Sequence, residues 1–246
     1  MKIKIAIVDQ RISEECRRSL DVLGFRLITL PPDRRLSEAV ASHTDMLICR
    51  LGNELIATAE YAEREPVPFS DIWELCRRCG IRMSFTEDEI RRDYPLDCRL
   101  NALSMGRYLF CKADSVSSFL RERAEAMGLE TVSVRQGYPA CTVLKLDDTH
   151  AITADLGMAA ALCERGITVT EIEAGSIALP PHPYGFIGGC AGVHGGVVYF
   201  LGDPRRHPSF AEIDRAISEA GMSWRALSGD ILTDLGGILF IDGRLE

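Results

Sequence analysis

Nine cysteines and five histidines hold most of the nucleophilic and metal-ligating chemistry open to this chain of 246 residues. In the segment GGCAGVHGG, Cys190 precedes His194 by four residues among glycines. A thiol beside an imidazole can become a nucleophile, because the attacking species is the thiolate and the histidine takes its proton. Glycines there would let a ligand come close to the backbone. The plain alternative is a packed thiol, with a histidine carried off by a hairpin turn. Cys141, in GYPACTV, is a second candidate thiol with the same alternative. His43 stands ahead of a strand-like run and is a weaker acid/base candidate than His194, while His150 in the turn DDTH reads as solvated.

Other patterns carry less. Cys76 and Cys79 form a C-x-x-C on a helical segment, a spacing that serves zinc or redox chemistry. Zinc requires two more ligands, none stands nearby in sequence, and the helical phase of Trp73, Cys76 and Gly80 reads as packing. We expect no metal. GGCAGVHGG has neither the lysine nor the following helix start of a phosphate loop, so no cofactor is expected either.

The elements that must position these groups repeat five times. Each unit reads as strand, turn, strand ending near an acid, helix, glycine, strand. The clearest copy is CTVLKL, the turn Asp147-Asp148, AITA before Asp155, the helix LGMAAALCERG and the strand ITVTEI. Helix-stop glycines recur at Gly24, Gly80, Gly128, Gly166 and Gly221, about 40 to 55 residues apart, and the interval from the last through the termini to the first fits the series. The fifth unit is split between the two ends. A strand within Gly237–Ile241 should therefore pair with one within Ile3–Val8, removing an exposed edge at each end. The expected fold class is α/β: five ββαβ repeats in one domain over residues 1–246, closed by that pairing. The acids Asp9, Glu60, Asp114, Asp155 and Asp203 at strand ends read as helix caps or as charge at a helix N-terminus, with lining of a channel as the alternative.

Bulk properties narrow the partners. The formal net charge is −8, opposite in sign to what a phosphate-binding surface needs, so nucleic acid is not expected. No apolar run is long enough to span a bilayer, and the start MKIKIAIVDQ has no signal-peptide core. A cytoplasmic protein with reduced cysteines follows as the expectation. A homo-oligomer stays open.

The five-fold ββαβ pattern closed through the termini resembles the penteins, the guanidino-group modifying enzymes. This superfamily includes arginine and agmatine deiminases, amidinotransferases and dimethylarginine hydrolases, and also a ribosome anti-association factor that is not an enzyme. The segments IVDQRISEE, SHTDMLICRLGN, RLNALSMG, GYPACTVLKLDDTHAITADLG and YGFIGGCAG are similar to an uncharacterised bacterial branch of that fold, known as a domain of unknown function. The resemblance implies an α/β propeller whose first strands converge on a central channel. Asp45 near Cys49, Asn101, Cys141, Cys190 and Asp234 would then gather there. Carboxylates, an amide and thiols suit a small polar or cationic ligand such as a guanidinium, which carries five donors in a fixed fork. The resemblance further implies deiminase-like or amidinotransferase-like thiol chemistry with Cys190 or Cys141 as nucleophile and His194 as acid/base. Asp45, Asn101 and Asp234 would hold the ligand. The enzymes' cysteine lies in the last unit, where this chain has ILTDLGGILFI and no cysteine. Binding without catalysis, or interaction with a macromolecule, stays open beside turnover.

Overall fold

Short strands alternate with helices, and four of the helices begin at a side-chain cap. The computed structural model describes residues 2–244. The chain opens with β1 (Lys2–Asp9), α1 (Glu14–Val22) and β2 (Phe25–Leu30). The one-turn helix α2 (Thr44–Leu47) leads into β3 (Cys49–Leu51), β4 (Glu54–Thr58), α3 (Ala59–Arg64), α4 (Pro66–Cys79) and β5 (Arg82–Thr86). The next unit is β6 (Leu103–Met105), β7 (Tyr108–Cys111), α5 (Ser118–Ala126) and β8 (Glu130–Ser133). A second one-turn helix, α6 (Pro139–Thr142), precedes β9 (Val143–Lys145), β10 (His150–Thr153), α7 (Leu156–Cys163) and β11 (Thr168–Glu171). A 3-10 turn, Gly188–Cys190, opens the last full unit: β12 (Ala191–His194), β13 (Val197–Phe200), α8 (Phe210–Glu219) and β14 (Ser223–Ala226). The final strand is β15 (Leu239–Arg244).

These strands make five small sheets of three strands each, ordered β15-β1-β2, β3-β4-β5, β6-β7-β8, β9-β10-β11 and β12-β13-β14. In each, the leading pair is antiparallel and the third strand is parallel to the middle one. The helix supplies the crossover that a parallel pair requires. Ser13, Ser117 and Asp155 cap α1, α5 and α7 by accepting backbone N–H bonds. The five helix-stop glycines all have positive φ, from 67° to 80°, a region costly for any residue with a Cβ.

The termini pair as the repeat spacing predicts. Ile5 faces Ile241, Ala6 faces Phe240 and Ile7 faces Leu239. The strand begins two residues later than expected because Gly236 and Gly237 form a turn with φ of 70° and 75°. Phe240 fastens it, with its ring centroid 4.9 Å from Phe25 and 5.4 Å from Tyr199.

The strand-end acids meet the expectation in part: Asp155 caps α7, Glu60 lies in the first turn of α3, and Asp203 caps the 3-10 turn Pro204–Arg206, while Asp9 and Asp114 serve no helix N-terminus. Asp9 and Asp203 accept the backbone N–H two residues on and clamp the guanidinium groups of Arg11 and Arg205. Asp114 instead pairs with Lys112. Among the described residues, no helix is long and apolar enough to cross a membrane.

Candidate functional site

Each leading strand is preceded by a tight turn, and the polar candidates sit in these turns. Asp45 lies in α2, Cys141 in α6, Cys190 in the 3-10 turn, Asn101 just before β6 and Asp234 before the glycine turn of β15. The turns touch one another in chain order. Asp45 N–H donates to the Gly236 carbonyl at 3.2 Å. The Asn101 side-chain amide donates to the Asp45 carbonyl at 3.4 Å, and its Oδ1 accepts the Ala140 N–H at 2.9 Å. A Cβ on Gly188 would lie 2.4 Å from the Ala140 carbonyl oxygen. The Gly189 carbonyl accepts N–H bonds from Leu235 and Gly237 at 2.9 and 2.7 Å.

Four of the expected side chains form one buried cluster. The Cys141 thiol donates to Asp45 Oδ2 at 2.6 Å, and the Asn101 amide lies 3.4 Å from the same sulfur. Asp234 Oδ1 lies 3.7 Å from Nδ1 of His43, and both side chains are fully buried. The donor atoms of His43, Cys141 and Asp234 lie within 4.8 Å of one another. Asp234 is held by N–H bonds from Phe186 to Oδ2 and Gly236 to Oδ1. Asp45 Oδ1 and both ring nitrogens of His43 are buried and have no hydrogen-bond partner among the described residues. Buried polar atoms are nearly always paired, so three orphans in one cluster mark it as the candidate site.

Burial sets the protonation pattern. It pushes the Asp45 carboxyl up to about 7, helped by the charge of Asp234, and pushes Asp234 up to about 6. His43 is pushed down to about 3 by burial and by the charge of Arg11, so the imidazole is neutral. The Cys141 thiol is driven well above its ordinary value by burial and then by Asp45 and Asp234. It is a protonated donor, not a ready thiolate.

Above this cluster lies a cavity of about 750 Å³. All five leading strands or their turns contribute to its wall, among them Asp45, Ala102, Val143, Ala191 and Ile238. Asp45 shows part of its surface there while its Oδ1 stays covered.

Cys190 and His194 are not brought together. The Cys190 thiol donates to the Ile187 carbonyl, packs in an apolar cluster with Ile187 and Leu232, and is raised well above its ordinary value by burial and by Asp234. His194, at the far end of β12, bonds Asp242 at 2.8 Å and packs against Phe25 and Phe240. Cys49 is buried in the neighbouring core, its thiol pushed up to about 12 by burial. Cys76 faces the core from α4 and Cys79 is half-buried beside it.

The histidine beside the buried cluster is therefore His43, which sequence spacing ranks below His194. The available signal was its position directly before the one-turn helix that carries Asp45. The glycines also have a different purpose from ligand approach at Cys190. A Cβ on Gly189 would lie 1.9 Å from Asp234 Oδ1, and one on Gly236 would lie 2.5 Å from the His43 Cβ. They are small because Asp234 and His43 occupy the space beside them.

Known proteins share this architecture. The chain matches the inosamine-phosphate amidinotransferase of Streptomyces griseus at 13% identity and a TM-score of 0.51, covering 89% of this chain and 76% of that one. It matches the amidinotransferase SxtG of saxitoxin biosynthesis from Microseira wollei at 12% identity and a TM-score of 0.54, covering 94% and 78%. It also matches a mutant of DDAH from Pseudomonas aeruginosa complexed with citrulline, at 12% identity and a TM-score of 0.55, covering 92% and 91%. No curated protein sequence matches the chain. A family profile described as "Family of unknown function (DUF6873)" matches residues 7–239. With five three-stranded units of pentein type and a family match over nearly its whole length, the chain belongs to DUF6873, a family of unknown function within the pentein fold.

Proposed function

We propose that the protein binds a small cationic molecule of the guanidino class in the cavity between its five leading strands. The observation that supports this best is Asp45: a carboxylate on the cavity wall with an oxygen that no protein group satisfies. A guanidinium seated against Asp45, with a local shift that uncovers Oδ1, would supply the missing donors and a compensating charge. In this reading the five sheets close as a propeller around the site, which the chain-order contacts of the turns favour. The partner is a small molecule rather than nucleic acid, in keeping with the net charge of −8.

Binding is favoured over thiol turnover. Hydrolysis or amidino transfer through Cys141 would need its thiolate, yet its proton is held beside two acids. Asp45, 2.6 Å away, binds a proton less tightly than that thiol does, so proton transfer runs uphill.

Calorimetric titration with agmatine, arginine and methylguanidine tests the reading. At least one should bind the wild type and lose about tenfold or more in affinity in Asp45→Asn, which removes a charge-assisted bond. If none binds folded protein at millimolar concentration, or if Asp45→Asn binds equally well, the guanidino reading is wrong.

A further inference from the structure

We propose that His43, Cys141 and Asp234 form a binding site for one divalent transition-metal ion of the zinc class. The proposal concerns donor atoms other than those of Asp45 and its probe is the metal alone, so its test can fail or succeed separately from the guanidino reading, even though the two sites share the Cys141–Asp45 hydrogen bond. Its basis is geometric. The three donor atoms lie within 4.8 Å of one another, and the Nδ1 to Oδ1 separation of 3.7 Å is close to the edge of a tetrahedron with bonds of about 2.0–2.1 Å. To complete three corners, donor atoms that now lie up to 4.8 Å apart must draw in to roughly 3.3–3.7 Å, the edge set by such bonds.

Chemistry and burial agree with the geometry. The three side chains are at most 4% exposed. Both ring nitrogens of His43 lack a partner, so a nitrogen lone pair in the cluster is unused. One thiolate, one neutral imidazole and one carboxylate together carry a charge of −2, which a divalent cation neutralises. Sulfur and nitrogen donors select zinc-class ions over magnesium or calcium. Three protein donors leave a fourth position, the pattern of zinc sites that also take up a ligand.

Loading must release a proton, because a coordinated thiol is deprotonated. The Cys141 S–H bond breaks, its electron pair forms the metal–sulfur bond, and the proton passes to the Asp45 carboxylate with which the thiol is already bonded. Where Asp45 is already protonated, the proton leaves to solvent instead. Sequence spacing could not reveal the set, because its members come from three different repeats.

The test uses the reduced, chelator-treated full chain. Cobalt(II) is titrated and followed by its thiolate charge-transfer band in the near ultraviolet, and zinc is titrated against a chromophoric chelator. One equivalent should bind. Cys141→Ser should abolish the cobalt–thiolate band, and His43→Gln and Asp234→Asn should each weaken zinc binding about tenfold or more. The double variant Cys76→Ser, Cys79→Ser should change nothing. Circular dichroism of each variant checks folding. If Cys141→Ser does not fold, the band in the wild type and its weakening in His43→Gln or Asp234→Asn decide. Absence of one-equivalent binding, a band that survives Cys141→Ser, or a band lost only in the C-x-x-C variant overturns the proposal.

Discussion

Gly236 and Gly221 have the same φ, 70°, but different surroundings, and replacing each by alanine isolates the packing of the site. A Cβ at Gly221 meets nothing within 4 Å. The Gly221→Ala variant should therefore cost only the left-handed backbone penalty, about 1–2 kcal/mol, reduced by the lower entropy of its unfolded chain. At Gly236 the Cβ would lie 2.5 Å from the His43 Cβ and 2.6 Å from the Thr44 backbone nitrogen. Neither is the end of a flexible side chain, so backbone must shift, adding about 1–3 kcal/mol. For a chain of this size that extra cost lowers the melting temperature by roughly 2–12 °C more than Gly221→Ala does. Urea unfolding and thermal melts of the two variants measure the difference directly. Equal losses would mean that the DLGG turn is not seated on the start of α2, and the account of how His43 and Asp234 meet would fail.

Other expectations follow from the same contacts. Asp45 is raised to about 7 when folded, so its contribution favours folding at low pH and is lost as pH rises through 7. Asp45→Asn should accordingly stabilise the empty protein by about 1–3 kcal/mol at pH 8 and by less at pH 5, and a lower melting temperature at pH 8 would refute this. Guanidino binding needs ionised Asp45, so affinity should rise about tenfold from pH 6 to pH 8, against the neighbouring Asp234 and Cys141; a flat profile would exclude Asp45 as the partner. Phe240→Ala removes the ring that fastens β15 and should cost about 3–4 kcal/mol by urea unfolding, and a loss below about 1 kcal/mol would show that the terminal strand packs loosely. In timed iodoacetamide labelling, exposed Cys163 should react first while buried Cys141 and Cys190 stay unlabelled in the folded state; fast labelling of Cys141 would revive the thiolate reading.

The fold was legible because it is repetitive. Five helix-stop glycines and strand-turn-strand patterns each encode a local event, and the spacing between them makes the terminal pairing of β1 with β15 expected. The site was legible only in part. Asp45, Asn101, Cys141 and Asp234 each stand at an equivalent turn, so repetition predicts that they meet. His43 has no counterpart in the repeat pattern, and its role arises from the turn Asp234–Gly237 folding against α2. Cys190 misleads because its glycine neighbours read as room for a ligand. That room is taken by the carboxylate of Asp234, a contact across some 45 residues that no local rule encodes. Asp9 misleads for a simpler reason: Arg11, two residues on, captures its carboxylate, whereas Asp203 holds Arg205 and still caps a 3-10 turn.

The most direct test of a guanidino-binding centre is a crystal structure of the protein soaked or grown with agmatine or methylguanidine. The account predicts a planar guanidinium in the cavity between the five leading strands, with a nitrogen within about 3 Å of an Asp45 carboxylate oxygen. A cavity without bound guanidinium at saturating ligand, or a ligand held elsewhere with Asp45 untouched, would contradict it.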